Sequence, residues 1–189
     1  QAAHLFAPRA AYRFRGITSP STPYDDPTVG ENPPYGAALN YYLSQPVQGG
    51  GRMAVKNARG ETIRTMTVPG GAGLHRVHWD LRQDPTKALR FRTDPLYGHE
   101  LPRGNDDTRP PAGGAPQISI LAPPGQYTIT LTIGGRDYTQ PLTVRKDPHS
   151  GGTEADITAQ TTLLSTLSTG LNQGVDAVNQ LEFMRNQIQ

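Results

Sequence analysis

From Gln126 to Ile133 the chain alternates with a period of two. Tyr127, Ile129, Leu131 and Ile133 fall on one side; Thr128, Thr130 and Thr132 fall on the other. Successive side chains of a strand point to opposite faces, so this run is a β-strand with one face toward a core. Turn formers bound it. Pro123-Pro124-Gly125 precedes it, and Gly134-Gly135-Arg136-Asp137 follows as a tight hairpin loop into a further strand, Tyr138 to Val144. A half-buried antiparallel sheet is the frame that the rest of the chain must satisfy.

The same logic applies upstream. Ala37 to Leu43 is aromatic and aliphatic and stops at Gln45-Pro46; Gly49-Gly50-Gly51 then makes a loop. Arg52 to Asn57 and Thr62 to Val68 flank Asn57-Ala58-Arg59-Gly60-Glu61, a short glycine-containing loop between β-prone runs, which predicts a hairpin. After the turn at residues 69–73, Leu74 to Leu81 reads as a strand with His75, Val77 and Trp79 on one face. Gln117 to Leu121 reads as another. The expected core contains Met53, Val55, Ile63, Val77, Trp79, Tyr127, Ile129, Leu131 and Val144. The expected fold is mainly β. It is an immunoglobulin-like antiparallel β-sandwich over residues 37–147, large enough to bury a working core, with a long proline-containing insert at 82–116.

The flanks read differently. In residues 1–36, Pro8, Pro20, Pro23, Pro27, Pro33 and Pro34 exclude a regular helix or a central strand. Tyr12, Phe14, Tyr24 and Tyr35 predict an extended arm that anchors by its rings, on its own sandwich or on a partner. In the insert, Phe91, Leu96, Tyr97 and Leu101 are candidate tethers. Over residues 153–189 the period changes. Thr153 with Asp156 three residues on predicts a helix start. Leu164, Leu167, Leu171, Val178, Leu181 and Ile188 then form one apolar stripe. Gly170 and Gly174 fall inside it and mark a break or a close backbone approach. The stripe covers the sandwich, pairs with a second helix, or docks on another chain; packing within the chain is the expected use.

Charge and composition narrow the function. Eighteen basic and sixteen acidic residues give +2, too balanced for a nucleic-acid partner. No cysteine is present, which excludes disulfides, zinc-thiolate sites and thiol catalysis. No apolar run approaches a membrane span. No signal peptide appears, so export implies a removed signal or a longer parent polypeptide.

As a set, several segments resemble known families. Residues 57–65, 73–80 and 123–129 resemble the immunoglobulin-like domain of the flagellar hook-capping protein family, with its "G-x-x-V/I-R-T" hairpin, "G-x-h-x-v-x-W-D" strand and "P-x-G-x-Y" start. Residues 3–13, 32–37, 79–82 and 140–148 resemble "A-H-L-F-x-P-R-x-A-Y-R", "N-P-P-Y-G-A", "W-D-L-R" and "Q-P-L-T-V-R-x-D-P". These belong to the C-terminal region of bacterial sortilin-like or BNR-type β-propeller proteins, often labelled glycosyl hydrolases. The resemblance implies a bacterial, periplasmic or cell-surface setting. The propeller itself is absent, and no catalytic residue carries over.

Candidate chemistry is sparse. His75 and His78 point to opposite faces of a strand, so His75-x-x-His78-x-Asp80 is a poor metal site. Asp25-Asp26 with Glu31, and Asn105-Asp106-Asp107, lack calcium-loop spacing and read as turns. Nothing brings Asp80, Asp84 and Glu100 together as a glycosidase pair. Ser44, Ser119 and Ser165 lack a nucleophile-elbow context. The expectation is a non-catalytic module without catalytic residues, metal or cofactor. It contacts other protein chains of a larger complex, spans no membrane, and associates at most peripherally with a membrane complex. The contacts would run through Tyr12, Phe14, Tyr24, Tyr35, Phe91, Tyr97, Leu167, Leu171, Val178 and Leu181. The alternative is a carbohydrate-binding or substrate-positioning module of a larger hydrolase, with Tyr97 and Phe91 as its platform.

Overall fold

A computed structural model describes residues 2–14, 34–95, 103–114 and 117–188. The contacts form two compact units. One holds residues 1–84 and 121–158, the other residues 85–120 and 159–189.

The first unit contains two sheets. Strands β1 (Ala3–Leu5), β3 (Ala37–Leu43) and β6 (Gly73–Trp79) form one, in the order β1-β3-β6. Strands β2 (Ala11–Arg13), β4 (Gly51–Lys56), β5 (Thr62–Val68), β7 (Gly125–Ile133) and β8 (Arg136–Lys146) form the other, in the order β2-β8-β7-β4-β5. Register places apolar residue beside apolar residue: Leu39 opposite Val77, Met53 opposite Leu131, and Val55 opposite Ile129. The mainly-β, two-sheet reading therefore holds. Met53, Val55, Trp79, Tyr127, Ile129, Leu131 and Val144 are buried in one cluster, with Ile63 and Val77 packed against it. Trp79 meets Tyr127 edge-on at 5.5 Å, joining the two sheets. Thr130 is also buried, although it lies on the face expected to be wet.

Two elements depart from the sequence reading. The first fourteen residues contribute strands to both sheets. β1 pairs antiparallel with β3, and β2 pairs parallel with β8. Gln117 to Leu121 is not a ladder strand. Only Leu121 forms a bridge, to Arg82, and Ile118 bonds instead to Thr86.

The turns follow side-chain chemistry. The Asn57 Oδ1 accepts from the Arg59 and Glu61 N–H groups at 2.9 and 3.0 Å, closing the predicted hairpin loop. After β6, Asp80 Oδ1 accepts from Arg82 N, and Trp79 Nε1 donates to Arg82 O at 2.8 Å. Leu81 is thereby held at φ 58° and fully buried, so the Trp-Asp-Leu-Arg segment is a packed corner. Gly36 is required beside it. A Cβ there would lie 1.9 Å from Trp79 O, at φ +116°.

Helix α1 (Glu154–Ile188) starts as predicted. Thr153 N and Oγ1 donate to Asp156 Oδ2, and Asp156 N donates to Thr153 Oγ1, a reciprocal cap. The helix runs unbroken through Gly170 and Gly174.

Candidate interaction surface

The second unit is built on backbone groups that need acceptors. Residues 86–93 contain no ladder strand, and their N–H groups must find partners. Helix α1 supplies them from residues spaced to share one face. Asn172 Oδ1 accepts from Lys87 N at 2.8 Å. Asn179 Oδ1 accepts from Arg90 N at 2.8 Å, and its Nδ2 donates to Ala88 O. Glu182 Oε2 accepts from Arg92 N, Thr93 N and Thr93 Oγ1 at 3.0, 3.1 and 2.9 Å. Lys87 pairs with Asp176 at 2.6 Å, and Val175 is buried within the row. Burial alone would raise the Glu182 pKa. The donors from Thr93 and Arg92, with the Arg185 charge, outweigh it and hold the carboxyl below its ordinary value.

The rest of the insert ties itself together. Phe91 and Arg109 exchange two backbone bonds at 2.9 Å. The Arg109 guanidinium donates to Thr93 O and sits 5.1 Å over the Phe91 ring. Arg103 bridges Asp94 and Asp107, and Arg90 pairs with Asp106. The Asn105-Asp106-Asp107 segment is thus a salt-bridged turn.

Because the inner face is polar, the apolar stripe is left outside. This corrects the expectation that the stripe packs within the chain. Leu167 is 59% exposed, Leu181 63% and Ile188 86%; Leu171 and Val178 are also exposed. Leu163, also exposed, extends the row. At 100° per residue, the stripe lies about a quarter-turn from the row of Asn172, Val175 and Asn179. Sequence reasoning missed that row. Its spacing was visible, but its polarity suggested solvent.

The arm aromatics divide. Tyr12 and Phe14 are exposed, though Phe14 meets Tyr35 edge-on at 4.5 Å and its N–H donates to Tyr35 Oη. Tyr35 packs against the core, and burial raises its pKa. Tyr24, Leu96, Tyr97 and Leu101 lie outside the described residues, as do Asp25, Asp26, Glu31 and Glu100. Among its described residues, the first unit offers little convergent chemistry. His75 bonds Gly71 O and stacks on Tyr41, Asp80 caps its corner, and Asp84 bonds Thr65 N and pairs with Arg64. An open depression of about 430 Å³ lies along the start of β7 and the end of β8, with Glu154 the one acid among its described lining residues. Among the described residues, no three His, Asp or Glu side chains gather as a metal set, and no helix is long and apolar enough to cross a membrane.

Comparison with family models, curated proteins and solved structures finds no match.

Proposed function

We propose that this chain is a non-catalytic structural and interaction module, an accessory or scaffold subunit contacting other proteins in a bacterial extracytoplasmic assembly. Its first unit is read as an immunoglobulin-like sandwich. The split N-terminal strand supports that reading, as does Tyr127, whose Oη donates to Pro123 O at 2.6 Å just upstream. A tyrosine returning to the backbone at the start of such a strand is a recurrent feature of these sandwiches. The periplasmic or cell-surface setting rests on the resemblance to propeller-protein C-terminal regions.

The observation that carries the interaction reading is the outward apolar stripe of α1, from Leu163 to Ile188. Large contiguous apolar surface on a folded protein marks a contact site. The carbohydrate-positioning alternative draws less support, because Arg109 occupies one face of its proposed platform Phe91.

Native purification from membrane and periplasmic fractions tests the reading, with the wild type compared against the double variant Leu167→Asp/Leu181→Asp. The wild type should migrate with companion chains, further copies of itself or other proteins, in fixed ratio. The variant, with unchanged helix content by circular dichroism, should lose them. A free wild-type monomer in every fraction, or companions retained by the variant, refutes it.

A further inference from the structure

We infer that the occupant of the outward stripe is a second copy of this chain, bound helix to helix and antiparallel. This deepens the interaction reading and rests on it. The stripe repeats at alternating steps of three and four: Leu164, Leu167, Leu171, Gly174, Val178, Leu181, Arg185 and Ile188. An average step of about 3.5 is the repeat that lets two helices stay in register along a seam.

The stripe positions also reflect onto one another about position 176. Leu164 then reflects onto Ile188, Leu171 onto Leu181 and Gly174 onto Val178, with Leu167 onto Arg185 the one mixed pair. A twofold contact requires the same patch to complement itself. An antiparallel pair centred there sets Leu171 against Leu181 of the other copy, and gives Val178 the space that Gly174 leaves.

Three further facts agree. A Cβ added at Gly170 or Gly174 would meet nothing within 4 Å, so this chain's own packing does not require glycine there. Glycine is unfavourable in a helix interior, and close approach of another backbone is a recognised use for it. Between Ala159 and Leu181 the only charged helix residue is Asp176, which pairs with Lys87 on another face, so two copies meet without a clash of charge. A parallel pair would instead place Arg185 against Arg185 within the seam. From their fractional exposures the stripe residues present on the order of 600 Å² per copy, about three-quarters of each partner's share in a standard interface.

Sedimentation equilibrium of the purified full chain at micromolar concentration is the test. The expected mass is twice that of the chain. Leu171→Asp/Leu181→Asp should weaken the dimer more than ~100-fold, because it sets like charges against each other in desolvated layers. The chain has no cysteine, so mixing the Leu171→Cys protein with the Leu181→Cys protein gives a clean second readout. Oxidation should yield, in excess, the mixed dimer that joins position 171 of one copy to position 181 of the other. Same-position crosslinks in excess overturn the antiparallel arrangement. A wild-type monomer overturns the self-pairing, whether or not it binds anionic phospholipid vesicles. If that monomer still migrates natively with companion proteins, only the choice of occupant fails and the interaction reading stands.

Discussion

Glu182 is the residue on which the second unit most visibly depends. Its side chain is 13% exposed, and one oxygen accepts from two backbone N–H groups and one hydroxyl. Glu182→Ala removes the acceptor and leaves three donors in a partly closed site. A hydrogen bond to a charged group contributes ~1.5–3 kcal/mol, but three bonds sharing one oxygen are not additive, so the local loss is about 3 kcal/mol. That corresponds to roughly 100-fold faster hydrogen exchange at the Arg92 and Thr93 amides. Glu182→Gln keeps one acceptor and loses the charge, about 1 kcal/mol, for roughly fivefold. The pH dependence has a fixed sign. The folded carboxyl pKa is lowered, so its stabilisation is full above the unfolded value of ~4.3. It is lost as pH falls through the folded value. Amide-resolved exchange by NMR reads all three quantities. Unchanged protection at Arg92 and Thr93 in Glu182→Ala would refute the reasoning, because the bonds to the helix would then not hold the insert.

Gly36→Ala should destabilise the first unit by at least ~2 kcal/mol in chemical denaturation, since both its φ and the Trp79 carbonyl exclude a Cβ; a neutral result would mean that the corner after β6 can move. Burial raises the Tyr127 hydroxyl to about 12. Its contribution should therefore persist below pH ~10 and fade as pH rises toward the folded value; ultraviolet titration of wild type against Tyr127→Phe should assign the late-ionising phenol to this ring.

The longer sheet strands were legible because burial imposes a period of two that needs no knowledge of partners. Tyr127, Ile129, Leu131 and Ile133 follow it without interruption, and all are buried. β1 and β2 were hidden because three residues are too few to show a period, and their partners lie far along the chain. Gln117 to Leu121 has a strand-like composition, but its neighbour Thr86 uses both N–H and hydroxyl to bind Ile118 locally, and no ladder extends from it. The helix was legible in extent and start. Its orientation was not. Which face turns inward was decided by the acceptors that residues 87–93 required, and that demand appears only once the insert is laid beside Asn172, Asn179 and Glu182.

The parallel pairing of β2 with β8, Ala11 beside Val144 and Arg13 beside Lys146, has a mechanical consequence. Tension applied to the chain ahead of β2 and behind β8 pulls the two strands lengthwise in opposite directions. The load falls on the whole ladder at once, in shear, and cannot peel it open one rung at a time. A module strung between two tethers by this pair yields only when the strands slide past each other together.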